Sequence, residues 1–451
     1  PLDALRRNTG VQGRLQTHIT SRDGSTSVAT KNAHSLVEFG SEWYIGESGN
    51  VFSVTEATNV ITGLNGNRLT FAKMAPASGV KDFLFIAGGG SLKKIEQGAP
   101  DASTRWGLAP PSTGVAAAQG SSGALNIGTY KYKFTFYVSA TGSESDANTT
   151  ATSVTIADLK RVDLTSIDVS SDGQVTARRV YRTLAGQEDY FLLTTITDNT
   201  TTTYTDNTND TDLSSTLLKT DNLDPSDGAF TFNECLGPYN GRMWWTRDTA
   251  AGHKARVYYS PIGRAEAVQG FLILANENED IQRLVKWNNS LWAIGVDLIH
   301  EVVGFTEPFT FRTVKAAPGT TYLWSVVATP YGIVYRSEDT IRLFNGTSSV
   351  PIGMEALGRL LKDGTVENVA SMDDTQIGGY HEDEYFMSDA SSAGTTLALY
   401  LGNQTWRDIG VTSTIFHSSA TLKKFGYCNG TTVMTLEDPG TTQDAAANIP
   451  F

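Results

Sequence analysis

The chain has 451 residues, 39% hydrophobic and 18% charged, which is enough apolar material for packed cores and excludes a disordered polymer. A formal net charge of -13 excludes a broad phosphate-neutralising surface, and so a tight nucleic-acid binder, but not a conduit past which DNA slides unheld. Two distant cysteines, Cys235 and Cys428, without C-x-x-C spacing, exclude a disulfide framework or a zinc site and read as buried free thiols.

The length exceeds one ordinary core and predicts two or three domains or a repeat architecture. Residues 1–30 are polar and Gly-punctuated, with weak alternation over Leu15–Thr20, and read as an arm or a single strand. They carry no apolar leader, and no stretch of the chain reaches the roughly 18 apolar residues of a membrane span, so the expectation is a soluble protein made in a cytoplasm. Asn148, Asn345 and Asn429 head glycosylation-type triplets that read as turn chemistry.

From His34 a pattern begins that recurs to the end. An aromatic-rich apolar run, a Gly or Asn turn and a second short run appear at Glu42–Val54, Asp82–Ile95, Arg242–Ser260 and Ser290–Val302. The pattern returns at Gly332–Phe344, Glu384–Tyr400 and Lys424–Leu436. Thr, Ser, Asn and Gly stand where helical sequences would place charge. The reading is all-β: an irregular β-propeller of about six to eight blades, each unit the inner hairpin of a blade, because such hairpins bury both faces only by stacking on neighbours. The best helix, Met354–Lys362, is expected to connect two blades.

Between Trp106 and Phe230 the pattern changes. After the extended segment Leu108–Pro111, the run Gly128–Val138 alternates aromatic and polar residues, which predicts a strand buried on one face. The loop Thr141–Ser145, the strands Ala177–Thr183 and Tyr190–Ile196 and a closing Thr203–Asp206 follow. This order resembles a fibronectin type III domain over residues 108–222, and implies an inserted fibronectin/Ig-like sandwich of about 100 residues. Its Thr- and Asn-rich stretches, 198–203 and 206–215, are expected to be mobile or to form an interface. The division is then an arm and first blades at 1–107, the insertion at 108–222 and the remaining blades at 223–451.

Chemistry is sparse. His18, His34, His253, His300, His381 and His417 show no ligand spacing, and no metal or cofactor is expected. Glu277–Asp280, Met372–Asp374 and His381–Glu384 gather the carboxylates that a cation site or a glycosidase pair needs, but lack calcium-loop geometry and read as solvated strand ends. Ser171-Asp172-Gly173 is a fragment of a sialidase-type box with no tryptophan after it. Gly88-Gly89-Gly90 is followed by Ser91-Leu92-Lys93, a strand and not a helix, so it reads as a turn and not a phosphate loop. Trp43, Trp244, Trp245, Trp292, Trp324 and Trp406 are candidate sugar platforms or blade packing, and since successive strand residues point oppositely, Trp244 and Trp245 cannot share a face. No catalytic, cofactor-binding or metal residue is assigned, and no channel-lining residue is named.

Hairpins such as Asn240–Gly263 and Asn288–Gly304, together with the fibronectin-like insertion, resemble the nozzle proteins of podovirus-type bacteriophage tails across nearly the whole chain. That resemblance implies a non-enzymatic virion tail subunit in a hexameric ring, with a tail adaptor above it and tail fibres or a needle attached. Genomic DNA would be retained and ejected through the channel without sequence-specific binding. A receptor- or glycan-binding tail propeller, with or without hydrolysis, is the alternative, and an exported propeller adhesin is a third reading.

Overall fold

The computed structural model describes residues 26–436 apart from 77–80, 97, 99–100, 225–230, 339, 353–375, 390–395, 403, 409–412, 420–421 and 423. Among the described residues seven four-stranded antiparallel sheets lie outside the insertion, six of them simple meanders. Sheet 1 is Ser35–Phe39, Glu42–Glu47, Asn50–Ser53 and Thr58–Ile61. Sheet 2 is Thr70–Met74, Phe83–Ala87, Lys93–Glu96 and Ala102–Arg105. Sheet 3 is Phe232–Tyr239, Arg242–Asp248, Arg256–Tyr259 and Gly270–Ile273, and sheet 4 is Ile281–Trp287, Ser290–Gly295, Leu298–Val303 and Thr310–Pro318. Sheet 5 is Val327–Thr329, Gly332–Arg336, Ile341–Phe344 and Ser349–Pro351, and sheet 6 is Gln376–His381, Glu384–Asp389, Leu397–Tyr400 and Thr405–Asp408. Sheet 7 takes Phe416–Ser419, Lys424–Cys428 and Val433–Leu436 from the end of the chain and Thr26–Ala29 from its start, Thr26 opposite Thr435.

First strands touch first strands in sequence from sheet 1 to sheet 7, and Phe416–Ser419 touches Ser35–Phe39, so the series closes on itself. The result is a propeller-like all-β ring. Alternation within the central strands explains its stability. Phe83, Phe85 and Ala87 pack toward sheet 3, whereas Leu84 and Ile86 pack toward sheet 1. A strand whose two faces meet two neighbours is apolar throughout, which is why these strands read as unbroken apolar runs. Trp244 and Trp245 follow the same rule: both are fully buried, Trp244 in the interface with sheet 4 and Trp245 in the interface with sheet 2. The recurring hairpins are thus the two middle strands of each sheet. The innermost strand is a separate, more polar run that the repeat pattern does not mark.

Several first hairpins turn through two residues of positive φ, including Asn240-Gly241 (50° and 69°) and Asn288-Asn289 (48° and 59°), the geometry whose twist matches paired strands. The predicted Gly88–Gly90 turn links the second and third strands of sheet 2, with Gly88 at φ 93° and its N–H donating to Phe232 O. Two single-turn 3-10 segments, Asp210–Asp212 and Leu323–Ser325, are the helical elements among the described residues. The predicted helix Met354–Lys362, the acidic stretch Met372–Asp374 and the alternating segment Leu15–Thr20 lie outside the described residues.

Between sheets 2 and 3 the chain forms two further antiparallel sheets. One orders Ala116–Leu125, Lys160–Thr165 and Tyr204–Asp206; the other orders Thr152–Ile156, Gly128–Tyr137, Ala177–Thr183 and Tyr190–Ile196. They enclose one core to which Tyr130, Tyr132, Phe134 and Phe136 contribute alternately, with Val162, Leu164, Val180 and Ile196. Tyr204–Asp206 crosses to the three-stranded sheet, Leu164 opposite Tyr204. The polar stretches expected to be mobile or to form an interface are tied down within the sandwich. Asp198 accepts from Thr200 N at 2.8 Å, Thr201 N at 2.7 Å and Arg178 at 3.1 Å, which holds its carboxyl well below the usual range. Asp206 and Asp210 hold Arg182 at 2.8 and 2.9 Å.

Candidate functional site

The axis of the ring is filled. Arg68, just before sheet 2, donates one guanidinium nitrogen to His34 O at 2.8 Å and Thr414 O at 2.9 Å, joining the entries to sheets 1 and 7. The same guanidinium lies 5.7 Å from the ring of Trp324, which precedes sheet 5 on the far side of the ring, and Arg283 of sheet 4 lies 5.0 Å from that indole. Trp324 is held there by its 3-10 turn, where Ser325 Oγ donates to Tyr322 O at 2.6 Å and Tyr385 OH donates to Ser325 O at 2.8 Å. Glu234 of sheet 3 is buried near Arg283 and Arg247, and burial pushes its carboxyl up. An indole flanked by two guanidiniums that come from different sides of the ring thus stands across its centre at this level.

Polar ties join each sheet to the next. Lys73 Nζ meets Glu38 at 2.8 Å, Cys235 N donates to Thr70 Oγ1 at 3.1 Å, and Tyr239 OH donates to Asn289 O at 3.2 Å. Trp287 Nε1 donates to Thr329 O at 2.8 Å, Tyr331 OH to Asp383 Oδ1 at 3.1 Å, and Ser413 N to Ser388 Oγ at 3.2 Å. Ala33 N donates to Cys428 Sγ at 3.3 Å, completing the circuit. Both cysteines are buried free thiols, and burial raises the Cys235 thiol to about 12.

The insertion is clamped to the ring by one buried carboxylate. Glu266, in the loop before Gly270–Ile273, binds Lys94 Nζ of sheet 2, Ser143 Oγ of the insertion and Gly107 N at 3.1 Å. Lys94 and Glu266 are both almost fully buried. Around this centre Trp106 Nε1 donates to Ala265 O at 2.9 Å, Asn222 Nδ2 to Ser145 O at 3.0 Å, and Arg264 to Asp221 at 3.0 Å. Burial raises the neighbouring Asp146 carboxyl. An ion pair satisfied on both sides fixes orientation more than it adds net stability.

The residues singled out in the sequence are scattered through this frame. Glu279 is buried against His300 Nε2 at 3.1 Å and Leu298 N at 2.9 Å; burial alone would raise its carboxyl, but these donors outweigh it and hold it below the usual range. Glu277 is exposed, and burial raises Asp280. Glu382 and Asp383 occupy the central positions of a turn, φ 45° and 65°, so turn chemistry accounts for that acidic run. His381 stacks on Phe425 between sheets 6 and 7, His417 meets Trp43 between sheets 7 and 1, His300 bonds Thr313 within sheet 4, His34 stands at the entry to sheet 1, and His18 lies outside the described residues. Among the described residues no three His, Cys, Asp or Glu side chains form a metal-holding group. Nor is any helix there long and apolar enough to cross a membrane. Trp43 and Trp292 are buried in sheet interfaces, and Trp406 falls in Thr405–Asp408.

Two arrangements escape sequence reasoning because their members are distant or ordinary in type. His253 Nδ1 lies 2.6 Å from Asp248 Oδ2, which also accepts from Tyr258 OH at 2.9 Å, while Thr231 Oγ1 donates to Asp248 Oδ1 at 3.0 Å. This group ties the loop between the middle strands of sheet 3 to both of them. The second is an exposed cluster in which Tyr331 and Tyr380 both donate to Asp383 Oδ1, at 3.1 and 3.2 Å.

No protein-family model matches the chain, and no curated protein matches it. Among solved structures it is similar to the computationally designed Ika8 protein, at 11% identity over 93% of this chain and 98% of that one, with a TM-score of 0.38. It is also similar to BamB from Moraxella catarrhalis, at 9% identity over 92% of this chain and 99% of that one, with a TM-score of 0.38.

Proposed function

We propose that the chain is a non-enzymatic structural subunit of a podovirus-type bacteriophage tail nozzle, its seven sheets the blades of a propeller and its insertion a fibronectin type III-like sandwich. The observation that carries this reading is the filled axis: Arg68, Trp324 and Arg283 occupy the place where a propeller would admit a ligand. A ring with a filled axis and an insertion clamped by Glu266 is a stiff wedge, suited to repeated head-to-tail contacts around a larger channel. In that assembly DNA passes between copies, not through one, and the net charge of -13 opposes adhesion of its backbone. A tail adaptor, tail fibres or a needle would take the remaining faces.

Electron microscopy of the purified chain tests the reading: rings of about six copies around an open channel support it. A monomer at every concentration, or one that cleaves saccharides, defeats it. The Tyr331–Tyr380–Asp383 cluster favours the alternative of receptor or glycan binding, since an exposed tyrosine ring beside a carboxylate suits sugar stacking and hydroxyl recognition. A glycan array with the wild-type chain and Tyr331→Ala separates the two: saturable binding lost in the variant supports the alternative, and no binding removes it.

A further inference from the structure

Exposed large hydrophobic side chains are unevenly placed. Among the described residues they fall on sheets 3 to 6 and on the insertion with the segment leaving it, and on none of sheets 1, 2 and 7. Two groups are sharply local. Phe305 (80% exposed), Tyr331 (45%) and Tyr400 (39%) stand on sheets 4, 5 and 6. They share one end of these sheets, because the first and third turns of a meander lie on the same side. Ile127 (68%) and Leu159 (54%) stand on two turns of the insertion that share one end, since Leu125 lies opposite Lys160 and Gly128 opposite Ile156. The Thr141–Ser145 loop that carries the clamp is at the opposite end of the sandwich, so these two side chains crown the tip directed away from the ring.

We infer that the tip of the insertion, Ile127 and Leu159, docks on the Phe305–Tyr331–Tyr400 face of a second copy of this chain. The inference rests on the ring reading above and deepens it by naming the contact. Two different apolar patches on separate parts of one rigid molecule are what a heterologous contact needs, and repetition of such a contact closes a ring. Charge favours the match. Lys160 follows Leu159, Arg161 beyond it is paired with Asp163 at 3.0 Å, and the carboxylate of Asp158 turns back onto Leu159 N at 2.8 Å. On the opposing face Asp383 accepts from Tyr331, and Glu384 stands opposite Tyr400 across the strands. Because Glu266 fixes the insertion, the tip meets its partner without an ordering cost.

The test uses the full chain, with assembly read by native mass spectrometry and mass photometry, and folding checked by circular dichroism. Ile127→Asp with Leu159→Asp, and separately Phe305→Asp with Tyr331→Ser, should each weaken assembly at least about tenfold. Leu217→Asp, exposed but off the tip, should leave assembly unchanged. Mixing the two double variants gives the decisive readout. Each has lost one side of the contact, so an intact tip on one copy meets an intact face on the other, and one-to-one dimers form that neither variant makes alone. Wild-type rings that persist in both double variants overturn the contact and leave the ring reading standing. A wild-type chain that never assembles overturns both, and the absence of dimers from the mixture overturns the head-to-tail pairing alone.

Discussion

The ring and the insertion are both β structures, yet they are held together differently. In the ring each apolar cluster is shared by two sheets, from the cluster of Val37, Tyr44 and Ile86 between sheets 1 and 2 round to that of Trp43, Ile45 and Cys428 between sheets 7 and 1. No sheet owns a core, so damage at one interface spreads to the two sheets that share it. The insertion has a single aromatic core lined by buried ions: Arg182 and Asp206 are both fully buried 2.8 Å apart, Tyr132 OH donates to Asp206 at 2.7 Å, and Glu144 accepts from Tyr181 at 2.6 Å and Arg179 at 2.9 Å. Apolar interlocking suits a series that must close, since it tolerates many similar neighbours. Buried ion pairs suit a domain whose register must be unique, because a misplaced partner leaves a charge bare.

The largest effect should come from Trp245→Ala. This indole stacks on Phe232 at 5.3 Å and lies 5.7 Å from Trp106, so truncation opens a cavity between sheets 2 and 3 and should cost about 3–5 kcal/mol. Denaturation followed by tryptophan fluorescence, which reports the ring because residues 108–222 contain no tryptophan, should show the ring transition falling while hydrogen exchange in the insertion is unchanged; a shift of the insertion alone would contradict the shared-core picture. Arg182→Met should act on the other region, costing about 3–5 kcal/mol because Asp206 is left as an uncompensated buried charge. Adding Asp206→Leu should recover part of that loss, as measured by urea titration of the pair. Glu266→Gln comes next, at about 2–3 kcal/mol, since Lys94 keeps only neutral partners. Its signature is uncoupling: the ring and insertion transitions should move further apart, and protease cleavage near Leu108–Pro111 should accelerate.

How much of this was legible follows from where each signal lies. Middle strands such as Phe83–Ala87 and Ser290–Gly295 are apolar on both faces and announce themselves, and so does the alternating Gly128–Tyr137. The first strands are harder to see: Gln376–His381 and Phe416–Ser419 mix Gly, Gln, His and Ser because one edge meets the axis. Thr26–Ala29, four unremarkable residues, completes sheet 7 only because the far end of the chain arrives beside it. The axial and clamping residues were invisible for a related reason. Arg68, Lys94, Ser143 and Glu266 are ordinary surface types in sequence, and their roles, like the axial place of Trp324, arise from contacts spanning 123 to 256 positions that no local pattern encodes.

The smallest effect also separates the two regions, and it is a matter of protons. Burial holds the imidazoles of His34 and His417 down at about 4, from 6.5 in an open chain. His417 lies at the seam between sheets 7 and 1, where Glu38 N donates to His417 Nε2 at 3.4 Å and Trp43 meets the His417 ring edge-on at 5.6 Å, and His34 stands at the entry to sheet 1, its Nδ1 2.8 Å from Ser35 Oγ. A base whose folded pKa is depressed takes up its proton first in the unfolded chain, so its contribution is complete above pH 6.5 and drains away as the pH falls toward 4. Residues 108–222 contain no histidine, so this loss falls on the ring alone. Glu234 and Asp280, whose carboxyls burial raises, gain stability over part of the same descent and offset some of the loss in the wild-type ring. The difference between wild type and His417→Gln removes that offset, because both chains carry these acids. The variant's ring transition should fall less steeply between pH 6.5 and 4 while the insertion's follows the wild type. Parallel curves for the two proteins would mean that the seam opens before His417 titrates, and that the ring's closure is weaker than its shared cores imply.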